Sequence, residues 1–228
     1  NYNAVDPHHI IGGVVMILFF SGTPGSGKSL HTASVLYWWI KAGHPAIGNV
    51  DINLDYIPTR KKKDYLYRRN DQLTPDFLVR YAQDYAAQHG RIKEDSILLV
   101  IDECQLVFNA RDWNAKGRSQ WLEFFTLHRH LGYRIILIAQ FDRMIDRQVR
   151  SLIEYEYIHR KVSNFGIYGK IISLFALGQL FVCVKVWYPM KEKVGSEFFR
   201  VKKVYYRLYD TYALFGDDAR AAEDGGEG

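Results

Sequence analysis

The chain has 228 residues, 48% hydrophobic and 15% aromatic, a size and composition suited to one α/β domain with an appendage and to a sizeable buried core. Its two cysteines, Cys104 and Cys183, lie in or beside apolar runs and match no metal-ligand spacing, so the default compartment is a reducing, cytosolic one. The formal charge of +5 conceals an asymmetry: Asp217 to Gly228 holds five acids against Arg220, which leaves +9 on residues 1–216, a basic body suited to a polyanion or to anionic lipid headgroups.

Asn1 to Val15 lacks the basic flank of a signal peptide, and Met16 reads as a natural start. Residues 1–15 are therefore expected to be a non-native or upstream segment. The apolar run from Met16 to Phe20 reads as a buried strand, expected over 16–21. It leads into Gly22, Thr23, Pro24, Gly25, Ser26, Gly27, Lys28 and Ser29, which spell the phosphate-binding pattern G-x-x-x-x-G-K-[ST]. Glycines give such a loop backbone angles closed to other residues, so its N–H groups converge on phosphate oxygens. Lys28 would reach the β- and γ-phosphates of ATP, and the Ser29 hydroxyl would bind Mg²⁺. The nucleotide-binding segment is counted through Leu30, in the first turn of a helix expected over 28–42 and stopped by Gly43; the dipole of that helix adds positive charge at the loop. A glycine-rich turn spelling the motif by chance would not need this strand–loop–helix order.

A second strand is expected over 46–52, followed by a basic loop carrying Arg60, Lys61, Lys62, Lys63, Arg68 and Arg69. That cluster suits nucleic acid or a membrane surface, and equally a solvated loop. Thr74 as N-cap, Pro75 at the first position, the stripe Phe77, Leu78, Tyr81, Ala82, Tyr85, and Gly90 beyond the end predict a helix over 75–88. Ile97 to Ile101 has the continuous apolarity of a strand buried on both faces and ends in Asp102 and Glu103. Because open α/β sheets place ligands at the carboxyl ends of their strands, Asp102 is the candidate Mg²⁺ ligand, through water, and Glu103 the candidate base that orients attacking water. An ordinary solvated strand end is the other reading of the two acids.

A helix is expected over about 117–131, and then a strand over 134–140 whose polar tip, Gln140, would read the γ-phosphate or the water, or else only cap a loop. His128 and His130, one residue apart on a helix, would point in different directions, so they are read as packing or subunit-contact positions, with Arg129 free for a neighbour. A short helix around Met144 to Leu152 precedes three β-rich runs, Glu154 to Val162, Leu180 to Tyr188 and Phe198 to Tyr209, expected to extend the sheet in antiparallel fashion. The most apolar stretch, Ile171 to Val184, is shorter than the roughly 20 residues a membrane span needs. The acidic end, residues 216–228, is expected to be disordered. The fold class is thus α/β: a P-loop NTPase three-layer sandwich over 16–215, with a mainly parallel central sheet and a C-terminal antiparallel β extension.

The P-loop with its strand at 17–29, Val100 to Gln105, the run from Phe124 through His128, Arg129, His130 and Gly132 to Gln140, and Asp146 to Arg150 together resemble the zonula occludens toxin (Zot) domain family, which includes the gene I morphogenesis proteins of filamentous phages. The resemblance covers roughly 16–215 and implies an ATPase domain of the FtsK/HerA-like branch on the cytoplasmic face of the bacterial inner membrane. A following transmembrane helix, absent from this chain, would anchor it there. The implied work is assembly and extrusion of phage, with single-stranded DNA in its protein complex and coat proteins as partners. P-loop motors commonly take an arginine from a neighbouring subunit to stabilise γ-phosphate charge, so the expected enzyme is a ring, with six members the expected size, and Arg111 ranked first for that role and Arg129 second, ahead of Arg118. A nonhydrolysing nucleotide-gated scaffold and a small-molecule kinase, with 60–69 as its lid, are the competing readings.

Overall fold

The computed structural model describes residues 17–108, 115–162, 180–200 and 202–209. In chain order these form β1 (Ile17–Ser21), α1 (Lys28–Lys41), β2 (Ala46–Gly48), β3 (Tyr65–Tyr67), α2 (Pro75–His89), β4 (Ile97–Ile101), α3 (Ala115–Leu127), β5 (Tyr133–Ile138), α4 (Arg147–Arg150), β6 (Tyr155–Lys161), β7 (Leu180–Trp187), β8 (Glu192–Arg200) and α5 (Lys203–Leu208). One eight-stranded sheet runs β3-β2-β4-β5-β1-β6-β7-β8. Pairings from β3 through to β6 are parallel, and β7 and β8 add antiparallel.

The apolar strands read so continuously because successive residues feed two different cores. Leu18, Phe20, Leu98, Val100, Ile136 and Ile138 face α1 and α5, while Ile17, Phe19, Ile97, Leu99, Ile101, Ile135 and Leu137 face α2 and α3. A strand covered on both faces has no solvent side on which to place polar residues. α2 begins and ends as its sequence dictates: Thr74 Oγ1 accepts from the Phe77 N–H at 3.3 Å, Pro75 is its first residue and Gly90 follows it with φ 81°.

Several boundaries differ from the sequence expectation. β2 stops at Gly48 rather than continuing to residue 52, because Asn49 turns its side chain to the β4 end and Leu54–Tyr56 form a 3₁₀ turn. The basic segment is not all loop: Tyr65–Tyr67 pairs in parallel with β2 as the edge strand β3. α3 ends at Leu127, and residues 128–131 turn into Gly132, whose φ of 75° and contact with Ile92 suit glycine alone. β5 ends at Ile138, two residues short. The expected helix over 144–152 is a 3₁₀ turn, Asp142–Met144, followed by the single turn α4. Among the β-rich runs, β6 is parallel to β1, and the third run begins earlier, at Glu192, then gives way to helix α5, where Tyr205 and Leu208 are buried against α1. Among the described residues no helix is long and apolar enough to cross a membrane. Residues 1–15, Arg111, most of 171–184 and the acidic tail fall outside the described residues.

Candidate nucleotide site

Parallel registry delivers three polar tips to one rim. Phe20 pairs with Ile138 and Ile101 with Leu137, so the loop after β1, the acids after β4 and Gln140 after β5 emerge side by side at the carboxyl end of the sheet. β5 lies between β1 and β4, which places Gln140 between the glycine-rich loop and the carboxylates. The Gly22 N–H donates to the Gln140 carbonyl at 3.2 Å, tying the loop directly to β5.

The loop cannot accept side chains where it bends. Gly27, at φ 98°, would bring a Cβ to 2.6 Å from the Phe181 ring, and Gly22, at φ 141°, one to 2.5 Å from the His159 carbonyl oxygen. Both obstacles belong to β6 and β7, so the C-terminal strands form the floor beneath the loop. No side chain caps the N-terminus of α1, and Ser26 Oγ is buried without a hydrogen-bond partner. Open helix N–H groups and an orphaned buried hydroxyl are what an anionic ligand would satisfy. Lys28 Nζ, in turn, donates to the carbonyls of Gly22 at 2.6 Å and Thr23 at 3.3 Å, folded back over its own loop. Burial lowers its pKa, and the charges of Asp102 and Glu103 oppose that shift.

Asp102 is half-buried and held on every side. Asn49 accepts from its N–H at 2.7 Å and donates to its carbonyl at 2.8 Å. The Glu103 N–H donates to Oδ1 at 2.8 Å, and the Tyr209 hydroxyl donates to Oδ2 at 2.7 Å. Burial raises the Asp102 pKa, while the hydrogen bond from Tyr209 pulls it down. Glu103 is exposed, with its backbone left-handed at φ 46°, ψ 45°, and accepts a hydrogen bond from Gln105 Nε2. A left-handed glutamate costs about 1–3 kcal/mol, a cost borne where the carboxylate direction matters. A pocket of ≈ 440 Å³ flanks the loop, lined among others by Thr23, Gln140, Asp142, Glu156 and Arg160.

Sequence reasoning brought Lys28, Asp102, Glu103 and Gln140 to one rim, but missed Asn49 and Tyr209, whose partners are 53 and 107 residues away. It also missed the buried group beneath the loop, where His31 Nδ1 lies 2.8 Å from His159 Nε2, Cys183 Sγ lies 3.7 Å from the same nitrogen, and His159 Nδ1 donates to the Ser21 carbonyl at 3.1 Å. Two imidazoles on one zinc ion, at 2.0–2.1 Å each in tetrahedral geometry, would keep their nitrogens roughly 3.3 Å apart; 2.8 Å is the length of one shared proton. Of the arginines, Arg129 pairs with Glu154 and Arg118 lies 3.5 Å from Asp146. His128 is buried, its Nδ1 bonded to the Phe125 carbonyl.

The zonular occludens toxin (Zot) family profile matches residues 16–214. The gene 1 protein of Enterobacteria phage I2-2 is 27% identical over 213 residues, covering 87% of this chain and 57% of that protein. That of phage fd is 29% identical over 146 residues, 63% of this chain and 41% of the relative. The matched part of this chain therefore spans about half the length of these relatives, 57% of the one and 41% of the other. Among solved structures, the N-terminal domain of the zonular occludens toxin from Neisseria meningitidis superposes with a TM-score of 0.54 at 19% identity, over 87% of this chain and 100% of that one. The DNA-packaging ATPase B204 from Sulfolobus Turreted Icosahedral Virus gives 0.50 at 17% identity, over 82% and 98%. These likenesses establish a P-loop NTPase fold, and the profile match over nearly the whole described chain establishes that it belongs to the zonular occludens toxin (Zot) family.

Proposed function

We propose that this chain is the ATP-hydrolysing motor domain of a filamentous-phage assembly and extrusion protein working at the bacterial inner membrane. The observation that carries the reading is the convergence of Lys28, Asp102 and Glu103 on one rim, with two carboxylates opposite an uncapped, glycine-lined helix N-terminus. Similarity to phage gene 1 proteins supplies the biological setting.

The N–H groups of residues 25–30 would receive the triphosphate, and Lys28 would unfold from its own carbonyls toward the β- and γ-phosphates. Ser29 and Asp102 would hold Mg²⁺, which supplies charge neutralisation at the transferring phosphoryl group. Asn49 fixes Asp102 from behind. Glu103 is exposed to solvent with Gln105 donating to it, where a base can take a proton from water without a second substrate, and that favours hydrolysis over transfer to a small-molecule acceptor. Gln140, joined to the loop through its carbonyl, would sense the γ-phosphate. Phosphate release from ATP with no acceptor added tests the reading: turnover is expected with Mg²⁺, and a protein that releases phosphate only when a small-molecule acceptor is supplied would be a kinase instead. Turnover is expected to rise when the chain is concentrated on anionic vesicles through a fused membrane anchor; binding without turnover there would leave a nucleotide-gated scaffold.

A further inference from the structure

The hydroxyl of Tyr209 holds one of the two side chains assigned to the metal and lies near the other. It donates to Asp102 Oδ2 at 2.7 Å, and Ser29, on the P-loop side, is close enough to act on it electrostatically. A phenol on that carboxylate oxygen competes with any metal-bound water that would reach Asp102. Mg²⁺ demands near-octahedral oxygens at 2.0–2.1 Å and keeps several waters, so the water linking it to Asp102 would need the lone pair that the neutral phenol holds.

The ring is delivered there by a docked element. α5 lies along α1, with Tyr205 and Leu208 buried. Trp38 Nε1 donates to the Tyr205 hydroxyl at 3.2 Å, and the Asn53 N–H donates to the Leu208 carbonyl at 3.1 Å. Lys202, Lys203, Tyr206 and Arg207 on the outer side are exposed. Tyr209 follows the last helical residue directly, so its position depends on this docking.

Resting on the ATP-site reading above, we propose that Tyr209 is a positioning residue whose hydroxyl holds, in the resting chain, the Asp102 oxygen that a magnesium-bound water would take, and that α5 is a latch released when magnesium and nucleotide enter. Linkage makes the relation reciprocal: whatever draws residues 203–209 away from α1 raises affinity for the magnesium complex by the same factor that the complex loosens the latch. The docking of residues 203–209 would thus be coupled to the phosphate site.

The test is ATPγS binding to the 228-residue chain, by displacement of a fluorescent ATP analogue, in Mg²⁺ and in EDTA, for wild type and Tyr209→Phe. Phenylalanine keeps the ring packing and removes only the hydroxyl. Loss of a hydrogen bond to a charged group that competes with the metal should tighten binding on the order of tenfold in Mg²⁺ and leave it unchanged in EDTA. A second readout needs no turnover: Mg²⁺ with ATPγS should speed tryptic cleavage after Lys203 and Arg207 in wild type, whereas ATPγS in EDTA should not. Weaker Mg²⁺-dependent binding by Tyr209→Phe would show that the phenol holds Asp102 in its working position, and would overturn the latch while leaving the ATP reading intact. Equal affinities for the two proteins, or cleavage indifferent to magnesium, overturn it too. A wild-type chain that binds no ATPγS under either condition removes the ATP reading and the latch together.

Discussion

Lys28 and Glu103 differ in what they contribute, and their substitutions should separate accordingly. Lys28 is a partly buried cation whose pKa burial has already lowered, so a phosphate entering the loop relieves it and gains a point charge. Lys28→Ala should abolish turnover and weaken ATP binding by about 2–4 kcal/mol, the scale for truncating one side of a buried charge pair; equilibrium binding and phosphate release check both effects. Glu103→Gln keeps the left-handed turn and the approach of Gln105 but removes the proton acceptor. It should bind ATP normally and lose hydrolysis, whereas Asp102→Ala should also lose the magnesium-dependent part of affinity. Hydrolysis at the wild-type rate by Glu103→Gln would place the base elsewhere.

At the scale of elements, the loop depends on strands far from it in sequence. β6 and β7 carry His159 and Cys183 under α1, where His31 stacks on Phe20 and the rings of Phe181 and Phe199 stack nearby. This layer is dry, and burial lowers the His31 pKa to about 4; His159 lies well below the ordinary histidine value for the same reason, with His31 and Lys28 as neighbouring charges and the neutral Cys183 thiol alongside. For a base whose folded pKa is depressed, the unfolded chain binds more protons between the two values. Stability is therefore full above pH 6.5 and falls as pH drops toward 4, by up to about 1.4 kcal/mol per pH unit for each proton. Denaturant unfolding at pH 7.5, 6.0 and 5.0 should show that decline, and His31→Gln should make it shallower by the share of one proton. A wild-type profile flat across the range would mean the imidazoles reach water.

For the whole molecule, charge and assembly matter more than any one contact. The basic segment is partly spent on the fold: Lys61 Nζ donates to the Ala42 carbonyl at the end of α1 at 2.7 Å, and Lys63 Nζ to the Leu54 carbonyl at 2.8 Å. Residues 60–63 precede β3 and so lie at its amino end, the rim opposite the loop, whereas Arg68 and Arg69 follow its carboxyl end. Arg60 and Lys62 are both exposed, and the 3.4 Å surface pair of Lys62 with Asp64 is of a kind weak enough to be exchanged for a polyanion. Arg60→Glu with Lys62→Glu should weaken binding to single-stranded DNA or anionic vesicles steeply at low salt and little at high salt, without changing basal turnover. Binding indifferent to salt would reduce the cluster to a solvated edge. Subunit sharing is tested by mixing. Lys28→Ala chains and Arg111→Ala chains, each inactive, should recover partial activity together, because some interfaces would join an intact loop to an intact arginine, an effect worth about 10³–10⁵ in rate where measured. Arg129 is the weaker donor here, since Glu154 of its own chain already holds it. Full turnover by a strictly monomeric chain would end the shared-site reading.

Local chemistry made much of this molecule readable in advance. The loop glycines, the Thr74–Pro75 helix start and the doubly buried strands are written in backbone angles, caps and apolar runs, and each depends on residues within a few positions. That adjacency is why the carboxyl-end location of Asp102, Glu103 and Gln140 followed from sequence. Tertiary structure alone decided the rest. Edge strand β3 has only three residues and a charged approach, too short for a periodicity to declare it. α5 carries aromatics that suit a strand equally well, and it is a helix because Tyr205 and Leu208 find burial against α1. Asn49, Tyr209 and the His31–His159 pair meet their partners across 53 to 128 residues of chain, joined by sheet order and helix docking rather than by spacing. A residue type states what it can bond to; only the packing of the sheet decides which partner stands within 3 Å.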